Sequence, residues 1–106
     1  MKRDFTYIDD IVQGVLGVLK IRKNFSHKIY NLGNSHPEIL LEFIGVIEKN
    51  LKLKAKKKLL PIQPGDVSET FADISESKKD FNFSPKTKVS TGIPKFINWY
   101  KDYYKL

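Results

Sequence analysis

The first part of the chain changes from alternating to helical spacing of its apolar residues. Residues 3–8 alternate the apolar Phe5 and Tyr7 with polar neighbours, which predicts a short, half-buried strand. Directly afterwards the apolar positions recur every three to four residues, and a helix is therefore predicted with the stripe Ile11, Val12, Val15, Leu16, Val18 and Leu19 facing the core. Asn24 and Phe25 are predicted to end this helix.

A second strand and a second helix follow. Residues 28–32 predict a strand that Gly33 stops, so strand, helix and strand form a βαβ unit and indicate an α/β fold. Ser35 and Glu38 have the spacing of a capping box, which predicts a helix beginning at this point. Its inner face is predicted to consist of Leu40, Phe43, Ile44, Ile47 and Leu51.

The second half of the chain contains shorter elements. The lysine-rich residues 52–61 predict an exposed strand, and the two prolines and glycine of residues 61–65 predict a loop. Residues 67–73 predict a short strand and residues 75–80 a brief helix. After a polar connector, a final core-packing helix is predicted from an apolar and aromatic face formed by Ile93, Phe96, Ile97, Tyr100 and Tyr104.

Composition and charge restrict the function classes. The chain has 106 residues, no cysteine and no long apolar run, so it predicts one soluble, cytoplasmic unit without disulfides or thiolate metal sites. The net charge of +7 raises nucleic acid as a partner, but only Arg3 and Arg22 are arginines, the residue that bidentate recognition favours. We therefore expect a solvated lysine surface, with neither nucleic acid nor membrane as a partner.

Few residues suggest chemistry by themselves. Gly14 and Gly17 lie inside the predicted first helix and do not form a phosphate-binding turn. His27 and His36 are isolated, which favours surface histidines over metal ligands, and no metal site is expected. The adjacent carboxylates at positions 9 and 10 are interpreted as helix-capping residues.

Two motifs do indicate a family. The first is Arg-Asp-Phe-Thr-Tyr-Ile-Asp-Asp at residues 3–10, and the second is Leu-Pro-Ile-Gln-Pro-Gly-Asp-Val at residues 60–67, followed by Ala72 and Asp73. With Tyr-Asn-Leu-Gly at residues 30–33 between them, their order and spacing resemble the extended short-chain dehydrogenase superfamily of nucleotide-sugar epimerases. The wording of the second motif is most similar to the UDP-glucuronate 4-epimerases.

This resemblance implies the C-terminal substrate-binding portion of an extended Rossmann-type epimerase, with a βαβ piece and a C-terminal helix. Residues 1–33 would be the last elements adjoining the cofactor domain, and residues 34–106 the nucleotide-sugar-binding region. Three residues are implied to bind substrate: Arg3 the diphosphate of UDP, Asp66 the ribose, and Gln63 the same nucleotide. Taken from the residues alone, Arg3 is equally a surface ion pair and Asp66 a turn-forming residue.

The resemblance also indicates what this chain does not contain. Full-length relatives use NAD, bound at a glycine-rich turn, and a Tyr-x-x-x-Lys pair, and neither motif occurs here. We therefore expect no catalytic residues, no bound cofactor and no activity of the chain alone. The expected partners are a missing N-terminal cofactor half and a UDP-sugar, which the chain alone should bind weakly. A homo-oligomer is expected because apolar faces around Val12, Leu16, Tyr30 and Leu32 would lose that half. A role in capsule or cell-surface polysaccharide precursor synthesis is implied.

Two alternatives remain at this stage. One is a sibling nucleotide-sugar enzyme, such as a 4,6-dehydratase, a UDP-xylose-forming decarboxylase or another 4-epimerase. The other is a basic nucleic-acid-binding module that would use Lys52–Lys58, and its binding would weaken steeply with salt.

Overall fold

The computed structural model describes residues 1–21 and 27–106. Its elements, in chain order, are β1 (Lys2–Arg3), α1 (Ile8–Leu19), β2 (Glu38–Ile39), α2 (Leu40–Leu51), α3 (Ser75–Phe81) and α4 (Val89–Tyr103). β1 and β2 pair antiparallel, with Lys2 opposite Ile39 and Arg3 opposite Glu38. The proposed end of the first helix at Asn24 and Phe25 lies outside the described residues.

The first strand is much shorter than the alternation predicts. The strand prediction for residues 3–8 is wrong beyond Arg3, because Asp4 and Thr6 use their side chains to bind the backbone of other segments. On the other side of β1, the Lys2 N–H donates to the Ser68 carbonyl (2.8 Å) and the Thr70 N–H donates to the Lys2 carbonyl (3.2 Å). The strand predicted for residues 67–73 is thereby reduced to one parallel bridge between Lys2 and Glu69.

Helix α1 buries a different face from the one predicted. Asp10 and Gly14 are its buried residues, and a Cβ added at Gly14 would lie 2.8 Å from the Leu32 side chain. A Cβ added at Gly17 would lie 2.9 Å from the Phe81 ring. The absence of side chains at these two positions lets the helix approach closely, so the predicted core stripe faces outward. Except for the half-buried Ile11, its side chains are exposed, for example Val15 at 50% and Leu19 at 76%.

Two further predicted strands do not form in the described part of the chain. Residues 28–32 and 52–61 have no ladder partner there, so the βαβ unit is not closed within this chain. A strand that is to join a sheet needs a neighbouring strand to pair with its N–H and C=O groups, and the described residues place no strand beside either stretch. Lys57 instead lies 3.1 Å from Glu48 of α2.

The second helix begins later than the sequence predicts. Ser35 has a φ of 57°, and Glu38 lies in β2, so these two residues cannot form the predicted capping box. Helix α2 starts at Leu40 after the extended Ile39, and no side chain caps it. Pairing of Glu38 with Arg3 in the sheet therefore prevails over the local capping signal.

The last two helices are present, but α4 begins earlier than predicted, because residues 89–92 of the predicted polar connector form its first turn. The brief helix predicted for residues 75–80 is confirmed as α3, whose Ser77 is buried and donates to the Asn31 carbonyl at 2.6 Å. The final helix is confirmed as α4, but its predicted core-packing face is largely wrong, because Ile97 is buried whereas Phe96, Tyr100 and Tyr104 are exposed. Ile74 and Phe83, on either side of α3, complete the buried apolar set with Ile97. Among residues 1–21 and 27–106, no helix is both long and apolar enough to cross a membrane.

Candidate functional site

The structure brings Arg3 and Asp66 together. An Nη2 hydrogen of Arg3 donates to Asp66 Oδ1 at 2.9 Å, although the two residues are 63 positions apart in the chain. The side chains are 24% and 41% exposed, so the pair lies at the surface with access from solvent. The Arg3 Nη1 group donates to the Lys2 carbonyl at 2.8 Å, which fixes the guanidinium against β1. Arg3 thus forms an ion pair, but with Asp66 rather than with the carboxylates at the start of α1.

Gln63 lies in the same turn as Asp66. The Asp66 N–H donates to the Gln63 carbonyl at 3.1 Å, and Gly65 between them has a φ of +87°, a conformation that favours glycine. The Val67 N–H donates to Asp66 Oδ1 at 2.9 Å, so that one oxygen serves both the turn and Arg3. All three predicted substrate-binding residues are therefore carried by β1 and one adjacent turn.

Asp4 joins this region to the rest of the chain, a role that the sequence reasoning missed. Its Oδ2 accepts the N–H groups of Ser35 (2.9 Å) and Ala72 (2.8 Å). Its Oδ1 faces the His36 N–H at 3.5 Å. Next to it, the Thr6 hydroxyl oxygen accepts the Asn34 N–H at 3.0 Å. The available signal in the sequence was that Asp4 and Thr6 are polar residues within a stretch that forms a strand only as far as Arg3.

Asp10 does not cap α1, which corrects the interpretation of the acidic pair. The helix N-cap is Tyr7, and the Asp10 side chain is buried and accepts the N–H groups of Lys86 (3.1 Å) and Thr87 (2.9 Å) just before α4. Asp9 remains an exposed first-turn residue. The spacing of Asp10 four residues before Gly14 places both on the buried face, and this spacing could have identified it.

A second polar cluster lies at α3. Lys28 Nζ donates to Asp80 Oδ2 at 2.7 Å, and the Tyr30 hydroxyl donates to the same oxygen at 2.5 Å. The hydrogen bond to Asp80 raises the pKa of the Lys28 ammonium, and burial followed by the Asp80 hydrogen bond raises the pKa of the Tyr30 hydroxyl. These hydrogen bonds link residues 28–30 to α3.

An apolar groove of about 910 Å³ lies between α2 and α4. It is lined mainly by aromatic and aliphatic side chains, among them Phe5, Tyr7, Phe43, Ile47, Phe96 and Tyr100. Phe5 stacks on Phe43 with 3.8 Å between ring centroids. Arg3, Gln63 and Asp66 do not line this groove, so the groove and the predicted polar site are separate features.

The described residues do not offer a dinucleotide or a metal site. Gly14 and Gly17 are inside α1 and covered by Leu32 and Phe81, so their backbone cannot cradle a phosphate. His27 and His36 are exposed, and no three acidic or histidine side chains in this part of the chain could hold a metal ion. The Arg3 guanidinium and the Asp66 carboxylate are paired charged groups that solvent can reach.

Comparison with known proteins gives close matches in sequence and in structure. Protein MJ1055 of Methanocaldococcus jannaschii, which is uncharacterised, is 51% identical over 100 residues, covering 94% of this chain and 30% of the relative. UDP-glucuronate 4-epimerase 2 of Arabidopsis thaliana is 40% identical, covering 97% of this chain and 26% of the enzyme. The UDP-glucuronic acid 4-epimerase of Bacillus cereus, solved with UDP-glucuronic acid and NAD, superimposes with a TM-score of 0.83 at 33% identity, covering 95% of this chain and 32% of that one.

The chain is homologous to part of the UDP-glucuronate 4-epimerases. It spans about a third of the length of the relatives it matches, and the match is consistent with the C-terminal part of an epimerase. The predicted fold class is confirmed, because the structural neighbours are Rossmann-type epimerases. Within the homologous segment itself, the architecture is helical with a small two-stranded sheet. No protein-family model matches the chain.

Proposed function

We propose that this chain is the nucleotide-sugar-binding part of a UDP-glucuronate 4-epimerase and that it supplies no catalysis by itself. In this proposal residues 1–33 adjoin a cofactor-binding part, and residues 34–106 form the substrate region. Arg3 binds the diphosphate, Asp66 accepts hydrogen bonds from the ribose hydroxyls, and Gln63 contacts the same nucleotide. The surface pair of Arg3 and Asp66 is the observation that carries the proposal.

The geometry of this pair supports binding of a nucleoside diphosphate. The Lys2 carbonyl holds the Arg3 guanidinium on β1. The N–H donors, which lie in the guanidinium plane, are therefore already oriented before a ligand arrives. The hydrogen bonds to Asp66 found among the described residues end on Oδ1, which leaves Oδ2 to accept from two vicinal hydroxyls. A diphosphate beside Arg3 would therefore place its ribose next to the turn of residues 63–66.

The remaining chemistry of epimerisation is assigned to a partner part. NAD, which is present in the solved Bacillus cereus enzyme, would supply transient oxidation of the sugar. The residues of this chain would orient the nucleotide end, and we propose that a segment outside these 106 residues provides the dinucleotide site and the proton-transfer pair. The similarity to Protein CapI of Staphylococcus aureus, 39% identical over 99% of this chain, supports a role in capsule or cell-surface polysaccharide precursor synthesis.

A chimera tests the proposal directly. The upstream part of the Bacillus cereus enzyme, ending just before the position that matches Arg3, is joined to this chain, and conversion of UDP-glucuronate to UDP-galacturonate is measured. We expect activity from the chimera and none from the 106-residue chain. Turnover by the chain alone would contradict the proposal. A chimera that is folded and retains NAD, but acts on another UDP-sugar only, would assign the chain to a sibling enzyme.

A further inference from the structure

Asp4 occupies the point where the hydrogen-bond ladder beside β1 stops. The segment that follows the Asp66 turn runs along Lys2, with ladder bonds to Ser68 and Thr70. Two residues later the Ala72 N–H donates to the Asp4 carboxylate at 2.8 Å instead of to a backbone carbonyl. The side chain of Asp4 therefore continues the attachment of this segment to β1.

The same carboxylate also holds a second segment. Asp4 Oδ2 accepts the Ser35 N–H in addition to that of Ala72, so one oxygen bridges two stretches of backbone. Gly33 lies between them, and a Cβ added there would lie 2.6 Å from Ala72 Cβ and 3.1 Å from Asp4 Oδ2. This close packing leaves little freedom for the position of residue 72 relative to β1.

We propose that Asp4 is a positioning residue for the nucleotide end: it clamps the segment of residues 66–72 to β1 and thereby sets the distance between Arg3 and Asp66. The assignment of a nucleotide to this pair rests on the proposed function, whereas the clamp itself rests on the contacts of Asp4. A carboxylate suits the role because it only accepts hydrogen bonds, and its charge strengthens each bond from a backbone N–H.

Asp10 provides a matched control for the test. It too is an aspartate near the start of the chain whose carboxylate accepts two distant backbone N–H groups, but those belong to Lys86 and Thr87. Asp4→Asn and Asp10→Asn should therefore both lower the midpoint of thermal unfolding. If both residues were merely structural, the lower midpoint of thermal unfolding would be the only effect of each variant.

Two readouts on the intact chain separate the roles. The first is the carboxyl ¹³C resonance of Asp66, which Asp4→Asn should move toward its position in Arg3→Ala and which Asp10→Asn should leave unchanged. The second is the dissociation constant for UDP, followed by amide shifts. Asp4→Asn should raise it by about tenfold and Asp10→Asn by less than about twofold.

If the Asp4→Asn variant does not fold, a second variant tests the same role. Gly33→Ala keeps the carboxylate but forces residue 72 away from it, and it should move the Asp66 resonance in the same direction. An unchanged Asp66 resonance in a folded Asp4→Asn or Gly33→Ala variant overturns the positioning role, as does an equal effect of Asp10→Asn on that resonance. Absence of UDP binding by the wild-type chain would count against the proposed function only, since the resonance decides the clamp without a ligand.

Discussion

Around Arg3, polar groups from distant parts of the chain meet one another, whereas on α1 a row of apolar side chains meets solvent. Arg3, Asp4 and Asp66 are bound to each other's segments across more than 60 residues of sequence. Val15 and Leu19 of α1, in contrast, are 50% and 76% exposed. The polar contacts are therefore made within this chain, whereas the apolar face of α1 is exposed, and we propose that it meets a partner surface.

The largest effect on substrate binding is expected at the polar site. In the active chimera, Arg3→Ala removes a charged contact to the diphosphate and should raise the Michaelis constant for UDP-glucuronate by roughly thirtyfold, about 2 kcal/mol of binding. Asp66→Ala should have a smaller effect, because the ribose hydroxyls are neutral. Steady-state kinetics of the two variants checks this order, and a silent Arg3→Ala would remove the diphosphate from this site.

A second prediction concerns the buried side of α1. Gly17→Ala places a methyl group 2.9 Å from the Phe81 ring, and the helix and ring must move apart. We expect a loss of about 1–3 kcal/mol in the free energy of unfolding, measured by urea denaturation. Gly45→Ala in α2 is the matched control, because nothing lies within 4 Å of its added Cβ. Equal stability of the Gly17 and Gly45 variants would mean that α1 does not pack on Phe81.

The exposed side of α1 should cause self-association of the isolated chain. Sedimentation across a concentration series is expected to give an increasing mean mass. Val15→Lys combined with Leu19→Lys should shift the association to higher concentration, since both side chains lie on the exposed face. A wild-type chain that stays monomeric at the highest concentration would contradict the prediction that the exposed side of α1 causes self-association.

A smaller effect is expected on acidification. The hydrogen bond from the Ala55 N–H, followed by the contact with Lys57, lowers the pKa of Glu48 below its ordinary value. A carboxyl whose pKa is depressed by folding contributes stability above its unfolded pKa and loses it as the pH falls through the folded value. Glu48→Gln should therefore flatten the acid side of the stability curve, measured by thermal unfolding between about pH 6 and pH 3.

The smallest effect is expected in the lysine-rich segment. Lys56→Ala combined with Lys57→Ala should leave the Michaelis constant of the chimera nearly unchanged, because both residues belong to an exposed stretch away from Arg3. Binding of a nucleic acid that weakens steeply with salt and is abolished by these substitutions would favour the alternative of a basic binding module.

The sequence predicts the helices better than the strands. A helix forms its backbone hydrogen bonds within one segment, whereas a strand needs another strand beside it. Helix α3 appears at nearly its predicted bounds, and α4 follows from local apolar spacing although it begins earlier than predicted. Residues 28–32 have a strand pattern but no strand beside them in the described part of the chain, so pattern alone could not produce a ladder. From the sequence, Gly14 and Gly17 are predicted only not to form a phosphate-binding turn. In the structure, their close packing determines which face of α1 is buried.

At the candidate site, the family motifs identified Arg3, Gln63 and Asp66, and the structure places all three at β1 and one turn. Their roles toward a nucleotide stay predictions. Spacing could not have paired Arg3 with Asp66, since 63 residues separate them and the pairing depends on the course of the chain between. For the same reason, the sequence predicts only local roles for Asp4, in a strand, and for Asp10, as a helix-capping residue. Their hydrogen-bond partners are in fact distant along the chain.

The two aspartate carboxylates also determine when this region can fold. Asp4 binds the N–H of Ala72 and Asp10 binds the N–H of Thr87, which lie 68 and 77 positions further along the chain. Contacts of such high sequence separation require the closure of long loops before they contribute stability, and they slow folding. During synthesis on the ribosome, Arg3 can therefore meet Asp66 in its final geometry only after the segment through residue 72 has emerged, and the Asp10 contact can form only later.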